Sequence, residues 1–315
     1  MEEVKCYIPK TLKEALEIKA AHDVIPLAGG SDLMVAHKKT IGLVPEFEKP
    51  VMIIRNLSEL KGISVNDKGE CVIGAGCTAA EIAADERCPW HLRQAASRMG
   101  AIGLRNSATV AGNIANASPK GDTPGPLYLL DARVRIASLR GEREEKVSDF
   151  IVKFREIDLK QDELITQIIV PLSEDDFDYI FWHKVGTRKA NAISKITVSQ
   201  AIRFADDGKT VADYRLSATA TGAMTNRSRN VENLLIGKEI CDKTIEDVVN
   251  GFDAVISPRA MPEFRREATR RMIRRFLSEA ARRPQNKVID TYDDYHVTGQ
   301  PEPRECRHKK GACHG

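Results

Sequence analysis

Apolar residues recur three and four positions apart between Thr11 and His22, where the chain reads TLKEALEIKAAH. Leu12, Ala15, Leu16 and Ala20 form one stripe of a helix, and Thr11 with Glu14 has the spacing of a capping box. The pattern then shortens. DVIPLAGGSDLMVAHKKT (23–40) predicts a strand, a turn at Gly29–Gly30 and a helix opened by Ser31 or Asp32. VMIIRNL (51–57) is an apolar run and predicts a buried strand. GISV (62–65) and CVIGAG (71–76) are further strands around a turn at Asn66–Gly69. TAAEIAADERC (78–88) and PWHLRQAASRM (89–99) predict helices. RVRIASLRGEREEKVSDFI (133–151) reads as a hairpin with Gly141 at its turn, and ELITQIIVPL (163–172) as a strand ending at Pro171.

The pattern changes after SEDDFDY (173–179). YIFWHKVG (179–186) and the run 192–222 predict longer strands in an antiparallel meander, with a turn at Asp206–Gly208. Two helices follow, 244–256 and 262–283. From 284 onward the chain is polar and weakly periodic and reads as an extended tail. The expected class is therefore α+β, with residues 1–174 as one domain of two lobes (1–57 and 58–174), 175–283 as a second domain and 284–315 as the tail.

Composition narrows this picture little. Charge is nearly balanced, 48 basic against 45 acidic residues, so the net +3 does not demand a nucleic-acid partner. Seven irregularly spaced cysteines with no secretory signal fit reduced thiols in the cytoplasm. No apolar run approaches the ~20 residues that span a bilayer. His residues form no HExxH array, GxSxG is absent, and no GxxxxGK[ST] occurs, so hydrolytic chemistry and a triphosphate loop lack support.

Three glycine-bearing turns remain as candidate chemistry. Gly74-Ala75-Gly76-Cys77-Thr78-Ala79 fits the dinucleotide pattern GxGxxA, but no acidic residue stands at the end of a second strand ~20 residues on. Thr78 with Glu81 explains it as a capped helix start. The turn Pro26-Leu27-Ala28-Gly29-Gly30-Ser31-Asp32-Leu33 is either a tight turn or an anion site at a helix start. In TVAGNIANASPKGDTPGPLYLLDARV (109–134), Thr109, Gly112 and Asn113 form a turn able to aim N–H groups and a hydroxyl at one anion. Asp122 follows and can accept from sugar hydroxyls. Two such turns and a carboxylate suit a ligand with two phosphates and a sugar better than either turn alone.

LAGGSDL (27–33), IGAGCTAAEIA (73–83), the run 102–134 and FWHKVGTRKANAIS (181–194) together resemble the flavin-binding medium subunit of the molybdenum hydroxylases, the xanthine dehydrogenase family with its carbon monoxide dehydrogenase and nicotinate dehydrogenase relatives. The resemblance is collinear over about residues 5–283. It implies the two-part FAD-binding fold shared with vanillyl-alcohol oxidase (the PCMH type), then the family's C-terminal α+β domain with an antiparallel sheet and helices. Residues Pro26 to Leu33 match the first diphosphate loop, and Thr109, Val110, Ala111, Gly112 and Asn113 the second. Ala111 stands where the family's first loop glycine is usual, a departure that matters only at positive φ. Asp122 matches an FAD-contacting aspartate and Lys184 a lysine at the flavin that stabilises its anionic reduced form. Met99 stands where mammalian relatives have a phenylalanine over the ring, Ile165 matches an apolar residue packed on it, and Trp182 an aromatic near it.

The function this implies is electron transfer. A partner with the molybdenum cofactor hydroxylates substrate, a small [2Fe–2S] subunit relays the electrons, and FAD on this chain passes them to NAD⁺ or another acceptor, in a dimer of heterotrimers. KVGTRKANAIS leans towards purines or a related N-heterocycle as the partner's substrate. Rival readings are a carbon monoxide dehydrogenase medium subunit, a stand-alone flavin oxidase of the vanillyl-alcohol type, and a nucleic-acid-binding or scaffold protein. The last rests on eight arginines between Arg265 and Arg283, opposite a stripe of Met261, Phe264, Ala268, Met272 and Phe276. Cys306, His308, Cys313 and His314 do not have a standard zinc spacing, and no metal site is expected.

Overall fold

A computed structural model describes residues 5–38, 40, 45–188 and 190–289. The opening segment alternates short strands and helices: β1 (Cys6–Tyr7), α1 (Leu12–Ala21), β2 (Ile25–Leu27), α2 (Leu33–Ala36) and β3 (Val51–Ile53). Its strands form a parallel sheet in the order β1-β3-β2. Thr11 caps α1 by accepting from the Glu14 N–H, but the Glu14 carboxylate reaches the Lys10 N–H and not that of Thr11, so the expected reciprocal box is only half formed. The apolar run after Pro50 is strand only to Ile53, because Leu57 N–H turns back to Ile54 and a 3₁₀ turn, Ser58–Leu60, begins.

The next segment contains β4 (Ile63–Val65), β5 (Cys71–Gly74), α3 (Ala79–Ala84), α4 (Trp90–Ser97), α5 (Ile102–Arg105), α6 (Val110–Ala115), α7 (Pro124–Leu129), β6 (Arg133–Ser138), β7 (Gly141–Lys146), α8 (Val147–Phe150), the small hairpin β8 (Ile151–Lys153) and β9 (Glu156–Ile157), and β10 (Leu164–Val170). Its main sheet is antiparallel, ordered β4-β5-β10-β6-β7. Gly141 does not make the turn between β6 and β7. It pairs with Ser138 as the first residue of β7, at φ +127°, and Leu139 and Arg140 form the turn.

The final segment is the expected meander, β11 (Tyr179–Val185), β12 (Ile196–Phe204), β13 (Val211–Thr219) and β14 (Asn226–Arg227), followed by α9 (Arg229–Glu232), α10 (Asp242–Val255) and α11 (Pro262–Arg282). Alternation along β11 places the two faces of this sheet. Phe181 joins the core under α10 and α11, its ring 5.9 Å from Phe276, whereas Ile180 joins the core of the first 170 residues. On the same inward face Ser217 donates to the Gly125 carbonyl on α7 at 2.7 Å, so the sheet grips α7 backbone with small polar residues. His91 on α4, fully buried, meets the Gln200 carbonyl on β12 at 3.0 Å.

The arginine-rich helix differs from its expected helical face. Arg265 is buried and donates to the Ala220 carbonyl, and the buried stripe runs through Thr269, Met272, Ile273, Phe276, Leu277 and Ala280. Met261 and Phe264 are exposed. Arg266 and Arg270 pair with Asp253, Arg274 with Glu246, Arg271 with Glu267 and Arg282 with Glu279, which leaves much of the helix's positive charge balanced by the chain itself. The start of the expected tail is also ordered: Ile180 donates to Lys287, Ile289 donates to Ile180, and Ile289 is buried. Cys306, His308, Cys313 and His314 lie outside the described residues, and among the described residues no group of three or more His, Cys, Asp or Glu is placed to hold a metal ion.

Candidate functional site

A cavity of about 530 Å³ opens where the two glycine turns meet. The first turn follows β2. Ile54 N–H holds the Leu27 carbonyl at 3.0 Å, and Gly30 then turns the chain at φ +70°, a conformation that L side chains rarely adopt. Among the described residues, the N–H groups of Ser31, Asp32 and Leu33 meet no acceptor, and all three residues line the cavity. Gly29 is needed for a different reason from the expected one. A methyl group there would lie 2.0 Å from the Ser107 carbonyl oxygen, so the absent side chain lets the two turns touch each other.

The second turn is fixed from α3. Thr78 and Glu81 form a complete capping box, and Ala79 N–H donates to the Ala108 carbonyl at 2.8 Å. Thr109 is thereby set as the cap of α6, its hydroxyl accepting from Gly112 N–H at 3.1 Å. Ala111 sits inside α6 and is not among the residues of positive φ, so the methyl group in place of the usual glycine carries no strain. Gly74 and Gly76 of the GxGxxA stretch do not line the cavity. A methyl at Gly74 would lie 2.4 Å from the Leu60 carbonyl, so that glycine serves close packing on the 3₁₀ turn.

The two halves of the chain join at Asp122. The Lys184 ammonium lies 2.8 Å from Oδ1 and 2.9 Å from Oδ2, and Ser194 donates to Oδ1 at 2.9 Å. Thr197 donates to Ser194 at 3.1 Å, and Lys184 also donates to the Arg98 carbonyl at 3.0 Å. Asp122 and Lys184 are both buried, at 8% and 6% exposure, although Asp122 also lines the cavity. Burial pushes the Asp122 carboxyl up from its ordinary value, and Lys184 and Ser194 offset only part of that rise.

Of the residues singled out in the sequence, Pro26, Ala28, Gly29, Gly30, Ser31, Asp32, Leu33, Met99, Thr109, Gly112, Asn113 and Asp122 line this one cavity. Leu27, Val110, Ala111, Ile165, Trp182 and Lys184 do not. Val110, Ala111 and Ile165 belong to the buried core behind it, Ile165 beside a bulge in β10. Trp182 is buried on β11, its Nε1 without an acceptor among the described residues. Lys184 acts on the cavity through Asp122.

One wall was not foreseen residue by residue. Asn191, Ala192 and Ile193, from the loop between β11 and β12, close the cavity from the second half of the chain. Asn191, at φ +49°, donates to the Gly100 carbonyl at 3.2 Å, and Arg188 holds the Asn191 carbonyl at 2.9 Å. The available signal was the length of that connection, far longer than a meander needs. Ser118, Lys120 and Gly121, within the stretch 109–134, also line the cavity. The site thus combines unused N–H donors, an apolar wall of Met99, Leu104 and Ile193, and a buried ion pair at its inner edge. Such a set can hold an elongated ligand with an anionic middle.

Residues 2–173 match the family described as the FAD binding domain in molybdopterin dehydrogenase, and residues 182–280 match the CO dehydrogenase flavoprotein C-terminal domain. The nicotinate dehydrogenase FAD-subunit of Eubacterium barkeri is 30% identical over 258 residues, covering 78% of this chain and 84% of that protein. The glyceraldehyde dehydrogenase medium chain of Sulfolobus acidocaldarius is 28% identical, with 86% and 96% covered. The xanthine dehydrogenase FAD-binding subunit of Escherichia coli O157:H7 is 26% identical, with 86% and 93% covered. Among solved structures, a chain of carbon monoxide dehydrogenase from Hydrogenophaga pseudoflava superposes with a TM-score of 0.78 at 22% identity, covering 89% of this chain and 98% of that one. A chain of quinoline 2-oxidoreductase from Pseudomonas putida 86 gives 0.76 at 21%, covering 89% and 97%. These two likenesses establish the fold.

Proposed function

This chain belongs to the family of FAD-binding domains of molybdopterin dehydrogenases, and from that premise we propose that it is the electron-transfer flavoprotein subunit of a molybdenum hydroxylase. It receives electrons from a [2Fe–2S] partner, itself fed by a molybdenum-cofactor subunit, and delivers them to NAD⁺ or another acceptor. The assembly is a dimer of heterotrimers, and the partner's substrate is a purine or related N-heterocycle. The described cysteines are all free, which fits a reducing cytoplasm. Among the described residues no helix is long and apolar enough to cross a membrane.

When bound, FAD supplies the oxidation–reduction step that joins single-electron carriers to a hydride acceptor. The residues present fit it. The unused N–H groups of Ser31, Asp32 and Leu33 suit the diphosphate, whereas in the second turn the Gly112 and Asn113 N–H groups, expected to face an anion, are taken by the Thr109 hydroxyl and carbonyl. Met99, Leu104 and Ile193 offer the ligand an apolar wall. Lys184 brings a positive charge to the inner edge, but Asp122 balances it at 2.8 Å. Its effect on a neighbouring anion is therefore smaller than that of an unpaired lysine. Asp122 orients this charge and is not placed as a general base, since both its oxygens already accept hydrogen bonds.

The observation that carries the reading is the meeting of two turns, far apart in sequence, on one cavity that ends at Asp122. Expression of this chain with its genomic neighbours tests it. The expected result is a complex with a molybdenum subunit, one flavin per copy of this chain, and bleaching of the flavin absorption when the partner's substrate is added. A chain that neither contains flavin nor takes it up excludes the reading. A flavoprotein that oxidises substrate without any partner supports the stand-alone oxidase instead.

A further inference from the structure

We propose that Thr123 is a positioning residue that fixes the Asn113 side chain so that its amide nitrogen, not its oxygen, is offered to the cavity. The inference rests on reading this cavity as the FAD site and concerns how its diphosphate is recognised. The Thr123 backbone N–H can only donate, and the Asn113 atom it meets at 3.3 Å must therefore be the acceptor Oδ1. The Thr123 hydroxyl donates to the same oxygen at 2.7 Å. With Oδ1 taken twice, the Nδ2 donors are left, and they meet no acceptor among the described residues.

Asn113 lines the cavity, whereas Thr123 is fully buried and does not. Thr123 consequently acts only through its neighbour. Gly121 keeps the space for this arrangement, because a methyl group there would press on Oδ1 at 3.2 Å and on the Pro124 ring at 3.1 Å. The chemical consequence is selection. Phosphate oxygens only accept, so an amide turned nitrogen-inward binds them and one turned oxygen-inward repels them. In the Thr123→Val variant only the longer backbone bond holds the amide, and the nitrogen-inward orientation is favoured less strongly.

A double-mutant cycle on the full-length chain tests this, with FAD and ADP as probes and binding followed by calorimetry on flavin-stripped protein. Thr123→Val is expected to weaken both probes about tenfold, the scale of one hydrogen bond. Thr123→Ser is expected to restore affinity, and Thr123→Val is expected to cost nothing further in an Asn113→Ala background. A merely structural threonine would weaken binding equally in both backgrounds, and that result overturns the inference. So does a Thr123→Val variant that binds FAD as well as the wild type. Should Thr123→Val fail to fold, Asn113→Asp takes its place: an added oxygen and charge should abolish ADP binding, and unchanged affinity overturns the inference. A wild-type chain that binds no FAD at all removes the cavity reading itself, and the inference with it.

Discussion

The Lys184 ammonium stands 2.8 Å from one carboxylate oxygen of Asp122 and 2.9 Å from the other, across 62 residues of sequence. Lys184 lies on β11 and Asp122 on the segment leading to α7, so one ion pair binds the cavity of the glycine turns to the C-terminal sheet. Removing one partner of such a buried pair strands the other charge. Lys184→Met, which leaves the buried Asp122 carboxylate without its cation, is therefore expected to lower unfolding free energy by about 3 kcal/mol and to reduce flavin content. Asp122→Leu combined with Lys184→Met is expected to recover much of the stability but not the flavin. Urea unfolding and flavin absorbance of the purified variants check both parts.

Asp122 also gives the site an acid limit. Its carboxyl is raised by burial above the ordinary value of 3.8, so as pH falls the folded chain takes up this proton before an unfolded chain does. The protonated form is the one the fold favours, so this group adds stability at low pH and none at neutral pH. Protonation breaks the charge balance with Lys184, however. Flavin is expected to dissociate as this carboxyl takes up its proton, at a pH above 3.8, while the group itself does not promote unfolding there. Flavin fluorescence across a pH series, read beside circular dichroism, separates the two events.

His91 produces the opposite pH effect on stability. Burial pulls its imidazole from 6.5 down to about 4, and its ring nitrogen meets the Gln200 carbonyl across the domain junction. Between those two pH values the unfolded chain binds a proton that the folded chain refuses, and stability falls as pH falls. The shift corresponds to about 3 kcal/mol lost from pH 7 to pH 4. His91→Phe is expected to flatten that slope while costing about 1 kcal/mol at neutral pH through the lost hydrogen bond to the Gln200 carbonyl. Unfolding free energies at several pH values test it.

The two loop glycines should respond differently to alanine. At Gly29 the added methyl meets backbone at 2.0 Å, and the turns must separate, at a cost of about 1–3 kcal/mol together with loss of flavin. At Gly112 the nearest atom is the Thr109 hydroxyl at 2.9 Å, within a helix. There alanine is expected to leave stability within about 1 kcal/mol, because helix propensity offsets the crowding, while flavin affinity falls. Thermal unfolding of flavin-free protein and FAD titration distinguish the two.

The Asp131 cluster is a further test of the junction. Burial pushes the Asp131 carboxyl up, but Arg227, Arg215 and Arg229 together pull it down further, to a value below 3.8. Glu232, fully buried, meets Arg227 at 2.8 Å, Arg229 at 2.9 Å and the Leu216 N–H at 3.0 Å. Glu232→Gln leaves two arginines short of charge and is expected to cost about 3 kcal/mol, measured by chemical unfolding, with flavin affinity unchanged.

The sequence by itself determined the elements whose partners are local. The extent of α1, though not its full buried face (Lys19 is buried where Ala20 was expected), the Thr78–Glu81 cap, the meander from Tyr179 to Thr219 and the glycine turns at Gly29–Gly30 and Gly112 are written in spacing and propensity. Twelve of the residues singled out by resemblance meet in one cavity because loops that must approach another backbone closely need small residues, and that need is visible in sequence. Only the tertiary structure decided which partner each group took. Nothing in the arginine-rich run marks Arg265 for burial against the Ala220 carbonyl, and nothing near Gly29 names Ser107 as the backbone it must admit. Lys184 and Asp122, Thr123 and Asn113, and the Asn191 loop over Gly100 are likewise contacts whose energy depends on burial and distance. Those quantities do not exist until the chain has folded back on itself.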